Sequence, residues 1–163
     1  MRMIDVGAKP PTERVAVARA RLTMSKATRD RVTAGEVEKG DVLAAARLAG
    51  VMAAKRTPDL IPLCHPIALS AVEMEVRLTP RGIEAVATVH TVDRTGVEME
   101  ALTAAATACL TAYDMLKRYE QGMVLERVEL LEKRGGRTGT WRAAAPRRAP
   151  RRAPRRATPA SRR

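Results

Sequence analysis

From Arg14 to Met24 the side chains alternate. Val15 and Val17, followed by Arg19 and Arg21, fall on one side, and Ala16, Ala18, Ala20, Leu22 and Met24 on the other. A period of two with one apolar face predicts a strand. Ahead of it, Met3 to Thr12 is broken by Gly7, Pro10 and Pro11 and reads as a loop. Ser25 is placed to cap a short helix that ends near Gly35. Asp41 caps a second, Val42 to Ala54, whose residues are apolar on nearly every side. An all-round apolar helix is predicted to be buried between other elements or between subunits. Pro58, Pro62 and Pro66 mark a rigid loop holding Leu63, Cys64 and His65. Alternation resumes over Ala68–Leu78 and Ile83–Val92, and Pro80-Arg81-Gly82 between them predicts a hairpin. Glu98 to Tyr119 is a long helix before Gly122, and Met123 to Glu132 closes the body as a strand. The order strand, two helices, two strands, helix, strand predicts an α+β fold, with helices on one face of an antiparallel sheet.

Composition changes this picture in two places. Aromatic residues are 2% of the 163 and Phe is absent, so the core must be built from Ala, Val, Leu and Met. Small side chains bury little area each, which calls for close helix contacts or burial between subunits. The net charge of +12 resembles a nucleic-acid signal until it is located. From Arg142 to Arg163 there are nine Arg and no acid; the rest of the chain has 21 Lys+Arg against 18 Asp+Glu, a balance near +3. Ala-Pro-Arg-Arg repeats from Ala145, Ala149 and Ala153 lack apolar residues for a core. Two domains of behaviour follow: a folded body over 1–142 and a low-complexity, disordered tail over 143–163. The cysteines, Cys64 and Cys109, form no C-x-x-C pair, and no secretory or membrane-spanning segment is read, so a reducing cytoplasmic compartment is expected.

Candidate chemistry concentrates on the long helix and the proline-rich loop. Leu102, Ala105, Cys109, Tyr113 and Leu116 share one helix face, and Cys109 belongs to the core. Thr103, Thr107, Asp114 and Lys117 form a stripe beside it. Asp114 and Lys117, three apart, are neighbours and form either an acid–base pair or an ordinary surface ion pair; spacing leaves both open, with the surface pair commoner. Glu98 and Glu100 suit the helix N-terminus electrostatically, which is sufficient by itself; they could also bind a cationic ring edge or a metal, and spacing does not decide it. His65 sits on a rigid mount, yet Cys64 beside it does not make a zinc pattern. Lys9, Arg14, Lys39, Lys55, Arg56, Lys133 and Arg134 lie at loops and ends, where several could converge on phosphates with Gly135-Gly136. No phosphate-loop or dinucleotide glycine motif is present.

Several runs, in order, resemble the cyclic pyranopterin monophosphate synthase family. They are Met3-Ile4-Asp5-Val6-Gly7 with Thr12 and Arg14; Lys39-Gly40-Asp41-Val42-Leu43; Met52-Ala53-Ala54-Lys55-Arg56-Thr57; Asp59 to Pro66; Thr95 to Thr103; Tyr113-Asp114-Met115 with Lys117; and Leu130-Leu131, Lys133, Gly135-Gly136, Gly139 and Trp141. Together they span Met3 to Arg142. The resemblance implies a ferredoxin-like subunit, a homohexamer built as a trimer of dimers, and active sites at subunit interfaces. It implies a 3′,8-cyclised dihydro-GTP substrate and release of pyrophosphate. By the same resemblance Asp114, Lys117 and Lys39 are the catalytic residues, the amines acting through lowered pKa values. Leu63, Cys64 and His65 line the pocket, Met99 and Glu100 hold the base with Glu98 in support, and Arg14, Lys55 and Lys133 meet the triphosphate. No resident metal or cofactor is assigned; Mg²⁺ is common in phosphate chemistry, but no dedicated cage is visible. Members of that family ordinarily carry a further short segment ahead of the first run, so this chain is expected to start short. The arginine-rich tail falls outside the family pattern and is expected, at most, to bind acidic partners weakly and non-specifically. A nucleic-acid-binding protein acting through that tail is the alternative; the near-balanced body and the lack of stacking aromatics weigh against it.

Overall fold

The computed structural model describes residues 1–137 and 139–144. The repeated tail foreseen at the C-terminus lies, from residue 145 onward, outside the described residues. The elements in order are β1 (Thr12–Thr23), α1 (Lys26–Ala34), α2 (Val42–Lys55), α3 (Thr57–Leu60), β2 (Leu69–Thr79), β3 (Gly82–Asp93), α4 (Glu98–Leu116), β4 (Val124–Arg134) and β5 (Trp141–Arg142). The sheet order is β2-β3-β1-β4-β5, with every neighbouring pair antiparallel. The first four strands with α2 and α4 make the split β-α-β arrangement of a ferredoxin-like fold.

Local chemistry explains most boundaries. The Ser25 side chain accepts the Thr28 N–H, and Gly35, in the left-handed region, closes α1. Asp41 caps α2 by accepting from Leu43 and Ala44. Four features depart from the sequence expectation. The proline loop begins with the single turn α3, which has Pro58 in its first turn. Helix α4 ends at Leu116 rather than Tyr119. Strand β4 shifts register twice against β1, and Arg127, at φ 54, lies within the second shift. A short β5 then pairs Trp141 and Arg142 with Lys133 and Glu132.

The core is as small-chained as the composition demanded. Ala16, Ala18, Ala20 and Leu22 of β1, with Ile83, Ala85, Ala87 and Val89 of β3, face the helices and are buried. Helix α4 meets them through Ala101, Ala104, Ala105, Ala108, Cys109 and Ala112. Its buried face therefore centres on alanines, while Leu102 and Tyr113 are only partly covered. Helix α2 packs on α4 at Gly50, where a Cβ would lie 3.2 Å from the Ala104 carbonyl oxygen and 2.5 Å from Met74. It is not enclosed on all sides, because Leu48 and Met52 are exposed.

The opposite face of the sheet carries a charge cluster. Glu84 of β3 is buried and accepts from Arg21 at 2.7 Å and Arg77 at 2.6 Å, one on each flanking strand, with Arg19 4.0 Å away. Burial pushes its carboxyl up, but the two guanidiniums outweigh that and hold it below the usual glutamate range. A carboxyl lowered in the folded state stabilises fully above its unfolded pKa and loses that contribution as pH falls through the folded value. Glu84→Gln is expected to cost about 2 kcal/mol at neutral pH, below the deepest pairs because Arg77 is largely open to water. In urea unfolding, the gap between parent and variant should close as pH falls below the ordinary glutamate range. A gap that is equal at neutral and acid pH would show that the charge is not its source.

Candidate active site

Helix α4 organises two clusters of the predicted residues, one at each end. At its C-terminal end Asp114 is clasped between two ammoniums. Lys117 Nζ lies 2.7 Å from Oδ1, and Lys39 Nζ lies 2.6 Å from Oδ2 and also donates to the Asp114 carbonyl at 3.1 Å. Lys39 arrives from the loop between α1 and α2, where the left-handed Gly40, at φ +96, turns the chain into the α2 cap. All three side chains are about half exposed. The hydrogen bonds from Lys117 and then Lys39 hold the Asp114 carboxyl down at about 2. Donating that hydrogen bond to the Asp114 carboxylate raises the Lys117 pKa. This corrects the expected lowering of that amine: the site is open to water, so desolvation is minor and the adjacent carboxylate decides.

At the N-terminal end Glu100 is buried, although it is a carboxylate. One of its oxygens accepts the Cys64 thiol at 3.3 Å; the other, Oε2, has no hydrogen-bond partner among the described residues. Burial, reinforced by Glu98, raises the Glu100 pKa. Burial and then the charge of Glu100 push the Cys64 thiol up to about 11, so it is a protonated donor rather than a nucleophile. Glu98 pairs with Lys133 at 3.1 Å. Arg14 donates to the carbonyls of Asp93 and Arg94, and its guanidinium lies against Gly136. A Cβ at Gly136 would sit 2.4 Å from Arg14 Nη1, and the residue has φ +71, so only glycine fits without strain.

The N-terminal segment folds over this end. His65 Nε2 is 2.8 Å from the Ile4 carbonyl, which places the ring hydrogen on that nitrogen, and Arg94 reaches the Gly7 carbonyl at 2.8 Å. Leu63 and Met99 are exposed beside it, and Lys55 is exposed at the C-terminal end of α2. Among the described residues no three His, Cys, Asp or Glu side chains gather as a metal site requires, and no helix is long and apolar enough to cross a membrane.

The predicted set therefore separates into Lys39, Asp114 and Lys117 at one end and Cys64, His65, Glu98, Glu100, Arg14 and Lys133 at the other. Asp114 follows Glu100 by fourteen residues of one helix, about 21 Å at an α-helical rise of 1.5 Å per residue. The family model of the MoaC family matches residues 3–136. The chain belongs to the MoaC family. It is 58% identical over 143 residues to a cyclic pyranopterin monophosphate synthase of Thermomicrobium roseum, covering 86% of each chain. It is 56% identical over 143 residues to the protein of that name from Novosphingobium aromaticivorans, covering 88% of this chain and 91% of that one. For the Cereibacter sphaeroides relative of the same name the identity is 54% over 145 residues, with the same coverage. The family match takes in both clusters. It stops before Trp141, which pairs with Lys133 through β5.

Sequence reasoning passed over the residues that hold the Lys39 loop, namely Glu38, Arg118 and Tyr119, because none belongs to a recognisable run; only the tyrosine's rarity in a chain with two of them was available as a signal. The thiol–carboxylate contact generates a direct test. Glu100→Gln removes the charge beside Cys64, so the thiol pKa should fall from about 11 toward its ordinary value of 9.0. Alkylation of Cys64 by iodoacetamide, followed against pH by mass spectrometry, should then accelerate at mildly alkaline pH. An unchanged rate profile would mean that Glu100 does not govern the thiol.

Proposed function

We propose that the chain is a cyclic pyranopterin monophosphate synthase. It converts (8S)-3′,8-cyclo-7,8-dihydroguanosine 5′-triphosphate to cyclic pyranopterin monophosphate with release of pyrophosphate, an early step of molybdenum cofactor biosynthesis. The observation that carries this reading is the Lys39–Asp114–Lys117 cluster, in a chain identical to relatives of that name at more than half of the aligned positions. The rearrangement must move protons on and off ring nitrogens and sugar oxygens. A ribose-derived hydroxyl then forms a bond to the α-phosphorus as the bond to the pyrophosphate oxygen breaks, and the phosphate charge must be stabilised.

In this reading Lys117 enters the cycle protonated and acts first as an acid. Once it has given up its proton, the neutral amine is the base for a later step. Asp114, held ionised, orients both amines rather than donating a proton itself. The free Oε2 of Glu100 and its partner oxygen suit the paired N–H groups of a guanidine-like ring edge. Met99 flanks the base and Glu98 supports it. Leu63, Cys64 and His65 wall the pocket, while Arg14, Lys55 and Lys133 meet the triphosphate.

A proton-transfer group works only within hydrogen-bond reach of its target, about 2.6–3.2 Å. A ring held at Glu100 lies too far from Lys117 of the same chain, so a second copy supplies the other cluster. Exposed apolar side chains on the helical side, Leu48, Met52, Leu60 and Leu110, favour such association, with the trimer of dimers as the assembly. The free thiols Cys64 and Cys109 fit a reducing cytoplasm.

The purified protein given the cyclised dihydro-GTP should release pyrophosphate and form the pyranopterin product. Lys117→Ala and Asp114→Ala should fold and assemble as the parent does, yet lose turnover by at least about a hundredfold, the scale of general acid–base catalysis. Dissociation or unfolding of both variants would instead assign the cluster a structural role.

A further inference from the structure

Lys39 reaches Asp114 from a loop, and loops do not by themselves hold a long flexible side chain in one place. Here the loop is tied to the turn that follows α4 by residues outside the catalytic cluster. The Glu38 backbone N–H donates to the Tyr119 hydroxyl oxygen at 3.0 Å. The Glu38 carboxylate pairs with Arg118. The Tyr119 ring is itself fixed, because the Arg31 guanidinium of α1 lies 4.6 Å from its centroid. Glu120, the next residue, accepts from the Ser25 N–H, the Ser25 hydroxyl and the Thr28 hydroxyl, locking the start of α1 onto the same turn. Resting on the assignment of Lys39 above, we propose that Tyr119, together with the Arg118–Glu38 pair, is a positioning residue that sets Lys39 on Asp114 for the reaction.

The geometry separates this role from simple stability. Tyr119 touches the backbone of the residue immediately before Lys39, and Arg118 and Tyr119 follow Lys117 directly in sequence. One turn therefore fixes the spacing of the two amines on either side of Asp114. Glu38, Lys39, Met115, Arg118 and Tyr119 line a common recess of about 310 Å³. Tyr119→Phe keeps the ring and its cation contact and deletes only the acceptor for the loop. Glu38→Gln weakens the pairing with Arg118 and leaves the backbone contact. Neither change alters a residue of the cluster itself.

The test uses the full-length assembled protein and two readouts. Brief labelling of amines with acetic anhydride, read by mass spectrometry, reports how firmly each lysine is held, with Lys55 as the internal reference. In Tyr119→Phe the labelling of Lys39 relative to Lys55 should rise severalfold. Over the same change kcat for pyrophosphate release should fall about fivefold with KM unchanged, the scale of one lost hydrogen bond whose effect reaches the reaction through the placement of Lys39. Glu38→Gln should move both readouts in the same direction. Unchanged Lys39 labelling in both variants would overturn the clamp. Raised labelling with unchanged kcat would overturn the catalytic part of the proposal and would lay the fault on Lys39's assigned role, since the clamp itself would have been seen to act.

Discussion

Helix α4 lies against β1 and β3 through alanines on both sides, so the backbones approach closely and the helix has little room to slide or rotate. Larger side chains would bury more area per residue but hold the layers further apart. The same close contact continues sideways, where Gly50 lets α2 settle on α4 at Ala104. With that helix fixed, its two ends are fixed as well. Asp114 and Lys117 project beyond one end of the alanine seam and Glu100 lies at the other, separated by a rigid span that no side-chain motion closes.

The two ends differ electrostatically in a way that suits different tasks. At the C-terminal end a solvent-open carboxylate is shared by two ammoniums, and every partner is charged. At the N-terminal end a buried carboxylate accepts from a thiol and keeps one oxygen without a partner among the described residues. The first arrangement keeps Lys117 protonated and orients both amines. The second pays for desolvation without a cationic partner, which is sensible where an incoming group will supply one. The mechanism proposed above assigns proton delivery to the first end and recognition of the ring edge to the second.

Much of this was legible from local pattern. The period of two in β1, β2 and β3, the Ser25 and Asp41 caps and the hairpin at Pro80-Arg81-Gly82 are all set by neighbouring residues, and they stand where the pattern put them. What was not legible depends on distant contacts. The bulges of β4 and the pairing of β5 arise only where β4 must follow its neighbours. The end of α4 at Leu116 is set by the turn that carries Tyr119 to the loop after α1. In the site, spacing alone brought Asp114 to Lys117, but Lys39 is 75 residues away and was reached through family resemblance. Glu84 gave no signal, because an alternating strand with a carboxylate on its outer face looks solvent-exposed until arginines from two neighbouring strands enclose it.

The central claim is that one working site draws on both ends of α4 from different chains. Mixed assemblies test it most directly. Lys117→Ala chains retain the Glu100 end, and Glu100→Gln chains retain the Asp114 end. Each variant alone should be inactive with the cyclised dihydro-GTP. Dissociated and reassembled together, they should recover pyrophosphate release, because some interfaces then join two intact ends. If mixed oligomers form, as mass spectrometry would show, and still release no pyrophosphate, the two ends do not cooperate between chains and the account of the site is wrong.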